Sequence, residues 1–325
     1  MTTAESLMVD FADDTGLNSE KPPRRYLWTD AFAVCNFIQL SKKNNDESFR
    51  QLAIDLVDEV HKTLGKHRKD DPRQGWLSSK THPTKNGLRI GKKLPERKKD
   101  EPYDERLEWE RDGQYFHYLT KWMLALVKLG LFCEEKKYIT WAADLVGASK
   151  AFLHDDKMYW KLSIDLTRPL VPSMGQHDPL DGYVTFQVVN KYSEVELIDS
   201  IKKMDYLAKR IQLATMDPLG IGELLVAAYR LDQMNEESAF LNKILDAAKS
   251  GIQFINPNTH GLAFRELGLA IGIEASKKMN NLKPYWDMER EIIEYWVNNS
   301  NWIEHKDINR VILATSLIPD EYLKF

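Results

Sequence analysis

Cysteine is scarce: Cys35 and Cys133 are the only two in 325 residues, and both fall in apolar stretches. That count excludes a multi-bridge disulfide framework, and two cysteines in apolar helical stretches suit buried free thiols in a reducing compartment better than a disulfide or a metal site. No run reaches the roughly 18 consecutive apolar residues a membrane span needs. An excess of one charge is also missing. Forty-five Lys and Arg face 49 Asp and Glu, a net charge of −4, so no basic field invites nucleic acid. The opening MTTAESLMVDFADDTG is acidic and lacks the basic-then-apolar order of a secretory signal, which makes the cytoplasm the expected compartment. No GxxxxGKS/T phosphate loop and no DxDD acid motif occurs.

What is present is 43% apolar and 29% charged residues, enough for a full-sized core, with helical periodicity along most of the chain. Residues 1–25 are polar and acidic and read as a lead-in; residues 26–325 read as one domain. Two kinds of helix alternate there. One-faced helices are expected over 46–64, 134–152, 195–213, 237–255 and 284–298. The first of these places Phe49, Leu52, Ala53, Leu56, Val57, Val60 and Leu64 on a single stripe. Between them lie segments apolar nearly all round: Trp28–Leu40, Asp112–Phe132, Asp181–Val189, Gly220–Leu231, Gly261–Ile273 and Asp307–Ile318. Such helices need neighbours on every side, and Gly268, Ala270 and Gly272 would let backbones approach closely. Starts near 181, 220, 260 and 307 give intervals of 39, 40 and 47 residues, the period of repeated helix pairs. No repeated consensus or capping repeat marks a solenoid. The pattern therefore predicts an all-α (α/α)6 toroid: six inner helices ringed by outer ones, the twelfth missing or supplied by the lead-in.

Two intervals are stretched by residues 65–111 and 154–180. Both additions join an outer helix to the next inner helix, so both should emerge on the rim that carries the inner helices' N-terminal ends. The second includes a segment, Met158–Asp165, alternating enough for a short strand. That rim gathers Trp28, Asp30, Gln114, Tyr115, His117, Tyr183, Glu223, His260, Arg265, Glu266 and Arg310, with Glu108, Trp109, Gln176, His177 and Asp178 just upstream. Asp112, Asp181 and Asp307 also sit where helix N-caps or first-turn acids belong. Glu223 and Glu266 stand in apolar helices, where a carboxylate must be paired or face water. Aromatic faces beside carboxylates and amides suit a sugar, whose C–H face stacks while its hydroxyls find polar partners.

This alternation, with long rim loops and an acidic, aromatic mouth, resembles the six-hairpin glycosidase-like superfamily; similar toroids occur in the N-acylglucosamine 2-epimerase and sugar-isomerase family. The resemblance is one of architecture over residues 26–318, and no catalytic motif is carried over. It implies an oligosaccharide or small-molecule substrate and no cofactor. A hydrolase needs two carboxylates about the glycosidic bond; the preferred pair is Asp112 with Asp181, with Glu108, Asp178 and Glu266 as substitutes. An epimerase or isomerase would instead use His117, His177 and His260 as bases, with Arg265 or Arg310 polarising a carbonyl. Trp28, Asp30, Trp109, Gln114, Tyr115, Gln176, Tyr183 and Glu223 complete the expected substrate contacts. His177, Asp178 and Asp181 are too few and too close together to call a metal site. A non-catalytic toroid is the third reading, with the charged stretch 85–111 as a protein contact.

Overall fold

A computed structural model describes residues 2–235, 238–257 and 259–324. The inner helices are α2 (Leu27–Asn44), α5 (Phe116–Cys133), α7 (Asp178–Tyr192), α9 (Pro218–Gln233), α11 (Ala263–Lys278) and α13 (Lys306–Leu317). Each packs on the next, α2 on α5 through to α13, which returns to α2 and closes the ring. The outer layer is α3 (Glu47–Leu64), α6 (Lys136–Ser149), α8 (Ile198–Ala208), α10 (Ser238–Ile252) and α12 (Trp286–Asn298), each backing the inner helix before it. The protein is an all-α (α/α)6 toroid.

The twelfth position is filled by α1 (Thr3–Asp14), which packs on α13. Residues 1–25 are thus more than a lead-in. Thr2 and Glu5 form a reciprocal cap at the start of α1, and Met8 and Phe11 are buried beneath it. At its end Asp14 bonds Lys21, Lys306 and Arg310; the three cations hold its carboxyl well below the usual carboxylate range. Between α9 and α11 the backbones nearly touch. A Cβ on Gly222 would lie 2.2 Å from the Gly268 carbonyl oxygen, and one on Gly272 would lie 2.5 Å from the Gly222 Cα. The closeness expected of the small residues is met there.

Both long additions rise from the same rim and join into a cap. It holds a short helix, α4 (Glu105–Glu110), capped by Asp104, and the strands β1 (Gln114–Tyr115), β2 (Leu153–His154), β3 (Lys157–Met158), β4 (Lys161–Leu162) and β5 (Pro169–Val171). β4 lies antiparallel between β1 and β5, and β2 pairs with β3. This pairing corrects one boundary: the second inner helix begins at Phe116, not Asp112, because Gln114 and Tyr115 are drawn into register with Leu162 and Lys161. A further short helix, α14 (Asp320–Leu323), folds back across the far ends of α2 and α9. No helix among the described residues is long and apolar enough to cross a membrane.

Candidate active site

On the toroid axis, below the cap, one buried cation meets two acids from neighbouring inner helices. Lys121, in the second turn of α5, has its Nζ 2.5 Å from Glu223 Oε2 on α9 and 3.3 Å from both oxygens of Asp181 on α7. Its side chain is 3% exposed, against 18% for each acid, so the carboxylates are the face this cluster shows to solvent. Burial opposes the lysine's charge, but the two carboxylates outweigh it and the net shift is upward. Lone buried ammonium groups are costly; here the three groups satisfy one another.

Asp178 opens α7 one turn before Asp181, and its surroundings are of a different kind. Its side chain is 6% exposed, Oδ1 lies 3.8 Å from His117 Nδ1, and Oδ2 is buried with no hydrogen-bond partner. Burial, and then the charge of Asp181, push its carboxyl well above the usual carboxylate range. His117 is pushed the other way, chiefly by burial and then by Lys121, and Trp160 donates its indole N–H to His117 Nδ1 at 3.3 Å. The two shifts run in opposite directions, each favouring the neutral form of its group. Trp160 continues outward edge-to-face into Trp109, ring centroids 4.7 Å apart, and Trp109 is 43% exposed. Tyr115 lies 5.7 Å from Trp160 on the inner side, and Tyr26 and Tyr118 share a hydroxyl–hydroxyl bond beyond it. An aromatic wall thus runs from the cap surface to the acids.

Other residues expected at the mouth have been recruited elsewhere. Asp112 is fully buried, ion-paired to Arg89 and Arg68 and accepting from the Gly91 and Gly113 amides; it locks the cap and is not half of an open acid pair. Glu108 is held by Arg97 and Lys161. Gln114 bonds Leu88, Asn86 and Ile164 backbone groups. Gln176 donates to the Gln212 and Ala214 carbonyls, and His177 shares a 2.8 Å bond with the Leu213 carbonyl, beside the mouth. Glu266 accepts from Trp296 of the outer layer and bonds His260, whose ring stacks on Tyr295. Arg310 faces Asp14. Trp28 packs between Phe32 and Phe264, Tyr183 against Phe240, and Asp30 accepts from the Tyr26 amide beside Arg25. Arg265 stays on the rim, paired at 2.6 Å with Asp217, the N-cap of α9. Of the charged stretch 85–111, Arg97, Glu101, Glu108 and Arg111 pair among themselves. Among the described residues no three His, Cys, Asp or Glu side chains converge as metal ligands.

Sequence reasoning missed Lys121. The signal was available: a cation inside TKWMLALVKLG must be neutralised just as Glu223 must, and each is the other's partner.

The assembled architecture can be set against known structures. The chain superposes on the GH76A α-1,6-mannanase of Salegentibacter sp. HEL1_6 with a TM-score of 0.59, at 12% identity over 97% of either chain. For the cellobiose 2-epimerase of Bacillus thermoamylovorans B4167 the score is 0.61, at 10% identity over 96% of this chain and 95% of the other. The chain shares the (α/α)6 toroid fold of these enzymes. A D-mannose isomerase shares it as well, with a score of 0.59 and 13% identity over 94% of this chain and 88% of its own. No protein-family model and no curated protein matches the sequence.

Proposed function

We propose that this six-hairpin toroid is a carbohydrate-processing enzyme whose chemistry is carried by the mouth acids, and that it hydrolyses a glycosidic bond. One observation carries the reading. Asp178 and Asp181, one turn apart on α7, occupy opposite environments: the first is buried with one carboxyl oxygen unpartnered and its pKa pushed up by burial, the second partly exposed against the Lys121 ammonium. Two acids whose surroundings separate them in this way are suited to the roles of proton donor and charged partner. In a glycoside, Asp178 would protonate the leaving oxygen while Asp181 or Glu223, both within hydrogen-bond reach of one lysine, activates water or stabilises the developing positive charge at the anomeric carbon. At the outer end of the aromatic wall, exposed Trp109 and half-buried Trp160 offer faces for sugar rings.

A second reading has its own support. His117 and His177 are both shifted toward the neutral form by burial, the state a base needs for removing a proton beside a carbonyl in an epimerase or isomerase. The two are separated by incubating the protein with α-1,6-mannotriose, cellobiose and D-mannose and resolving the products by chromatography. Shorter saccharides lost in Asp178→Asn and Asp181→Asn support hydrolysis. Products of unchanged length, lost in His117→Asn, support the second reading. No change in any saccharide overturns both.

A further inference from the structure

The toroid axis is closed from behind by a residue with an unexplained polar atom. Tyr322 of α14 enters from the far rim, its ring stacked on Phe32 with centroids 4.5 Å apart and covered by the Arg230 guanidinium at 4.7 Å. α14 is clamped around it: Arg230 donates to the Tyr322 carbonyl at 2.8 Å, Gln233 to the Leu323 carbonyl, Lys42 pairs with Glu321 and Lys278 with Asp320. The Tyr322 hydroxyl is buried and makes no hydrogen bond to protein. Buried hydroxyls without partners are rare and call for an explanation. Tyr322 and Glu223 both line a cavity of about 10 Å³, walled otherwise by Phe32, Leu219, Gly222, Val226, Gly268, Ile271 and Ile312. About that much space holds a single water when polar partners are present, and the lining supplies two polar side chains, the phenol and the acid.

We infer that Tyr322 is a positioning residue of the mouth site: its hydroxyl and Glu223 share one bound water on the toroid axis, so that Glu223 is held from above by Lys121 and from below by α14. The phenol is an O–H donor and the water both donates and accepts, so the chain runs from Tyr322 through water to the carboxylate and gives the buried hydroxyl its missing partner. The α9–α11 contact at Gly222 and Gly268 narrows the chamber and keeps it to that size. The role assigned to Glu223 rests on the reading above; the water does not.

Tyr322→Phe removes the hydroxyl and keeps the stacked ring. A crystal structure of the wild-type chain that shows ordered waters should place one within hydrogen-bond distance of both Tyr322 Oη and a Glu223 oxygen. A dry chamber, or a hydroxyl bonded directly to protein, overturns the inference. In protein labelled with 13C at glutamate carboxyls, with Glu223 assigned by loss of its signal in Glu223→Gln, the Glu223 resonance should move in Tyr322→Phe. An unmoved resonance makes the tyrosine a packing residue and overturns its positioning role. On a turned-over saccharide the same variant should lose roughly two- to tenfold in kcat at unchanged KM, the loss of about one hydrogen bond. A wild-type protein that turns over no saccharide sinks the proposed function, while density and resonance still decide the water.

Discussion

Asp112 and Asp178 are both buried acids within reach of the same rim, and they have opposite surroundings. In the cap, Asp112 is ringed by two arginines and two backbone amides, so its oxygens are fully engaged. On the axis, Asp178 has one oxygen with no partner and the other 3.8 Å from a histidine. A saturated buried charge is a structural device, since nothing in it is left to meet a substrate. A buried acid left short of partners costs stability, and such groups concentrate where chemistry needs them. The lesson is that position on a rim selects candidates, whereas the state of their hydrogen bonds separates them.

The sharpest way to break this contrast is to remove each acid in turn. Asp178→Asn should abolish most turnover, on the order of 10²–10⁴-fold if it is the proton donor, with a thermal midpoint equal to or above wild type. Asp112→Asn should do the reverse. It strands Arg89 and Arg68 and should lower stability by about 3–5 kcal/mol, read from a urea melt. A stable Asp112→Asn protein, or an Asp178→Asn protein that keeps its activity, would erase the distinction.

The acids should also leave opposite marks on stability against pH. Asp178 is held above its unfolded value, so the folded state keeps its proton where the unfolded state has lost it. Its contribution is present below about pH 4 and declines as pH rises toward the raised folded value. Asp14 is held below its unfolded value by Lys21, Lys306 and Arg310. Its contribution is present above about pH 4 and is lost as the solution is acidified further. Melts from pH 3 to 8 should therefore show Asp178→Asn flattening a decline toward high pH. Asp14→Asn should lose about 1–2 kcal/mol at neutral pH, through a loosened α1, and shed part of the acid-side loss. Matching slopes in both variants would refute the assignment.

Where the sequence was legible, its local period carried the information. The inner and outer helices follow from side chains repeating at one helical spacing, and the stretched intervals located the cap. What was hidden depends on partners distant in the chain. Asp112 reads as a helix cap until Arg89 is folded over it, and Gln114 as a rim amide until β4 pairs beside it. Met8 and Phe11 look like a short acidic lead-in because the surface that buries them, α13, lies nearly three hundred residues away. Asp181 and Glu223 were each placed on the rim by helix position alone, and what joins them is Lys121 from a third helix.

The smallest expected effect tests the outer end of the site. Trp109 projects from α4 with nearly half its surface exposed, and its neighbour Trp160 is the residue that bonds His117. An aromatic that merely packs the cap should lower stability when removed and leave catalysis alone. One that stacks on a sugar should do the opposite. Trp109→Ala is expected to raise KM for an oligosaccharide roughly two- to tenfold, the loss of one ring contact of about 0.5–1.5 kcal/mol. Its kcat should hold and its melting temperature should scarcely move, because the indole is already part-solvated. A fall in melting temperature at unchanged KM would return Trp109 to the cap, on the structural side of the contrast with Asp112.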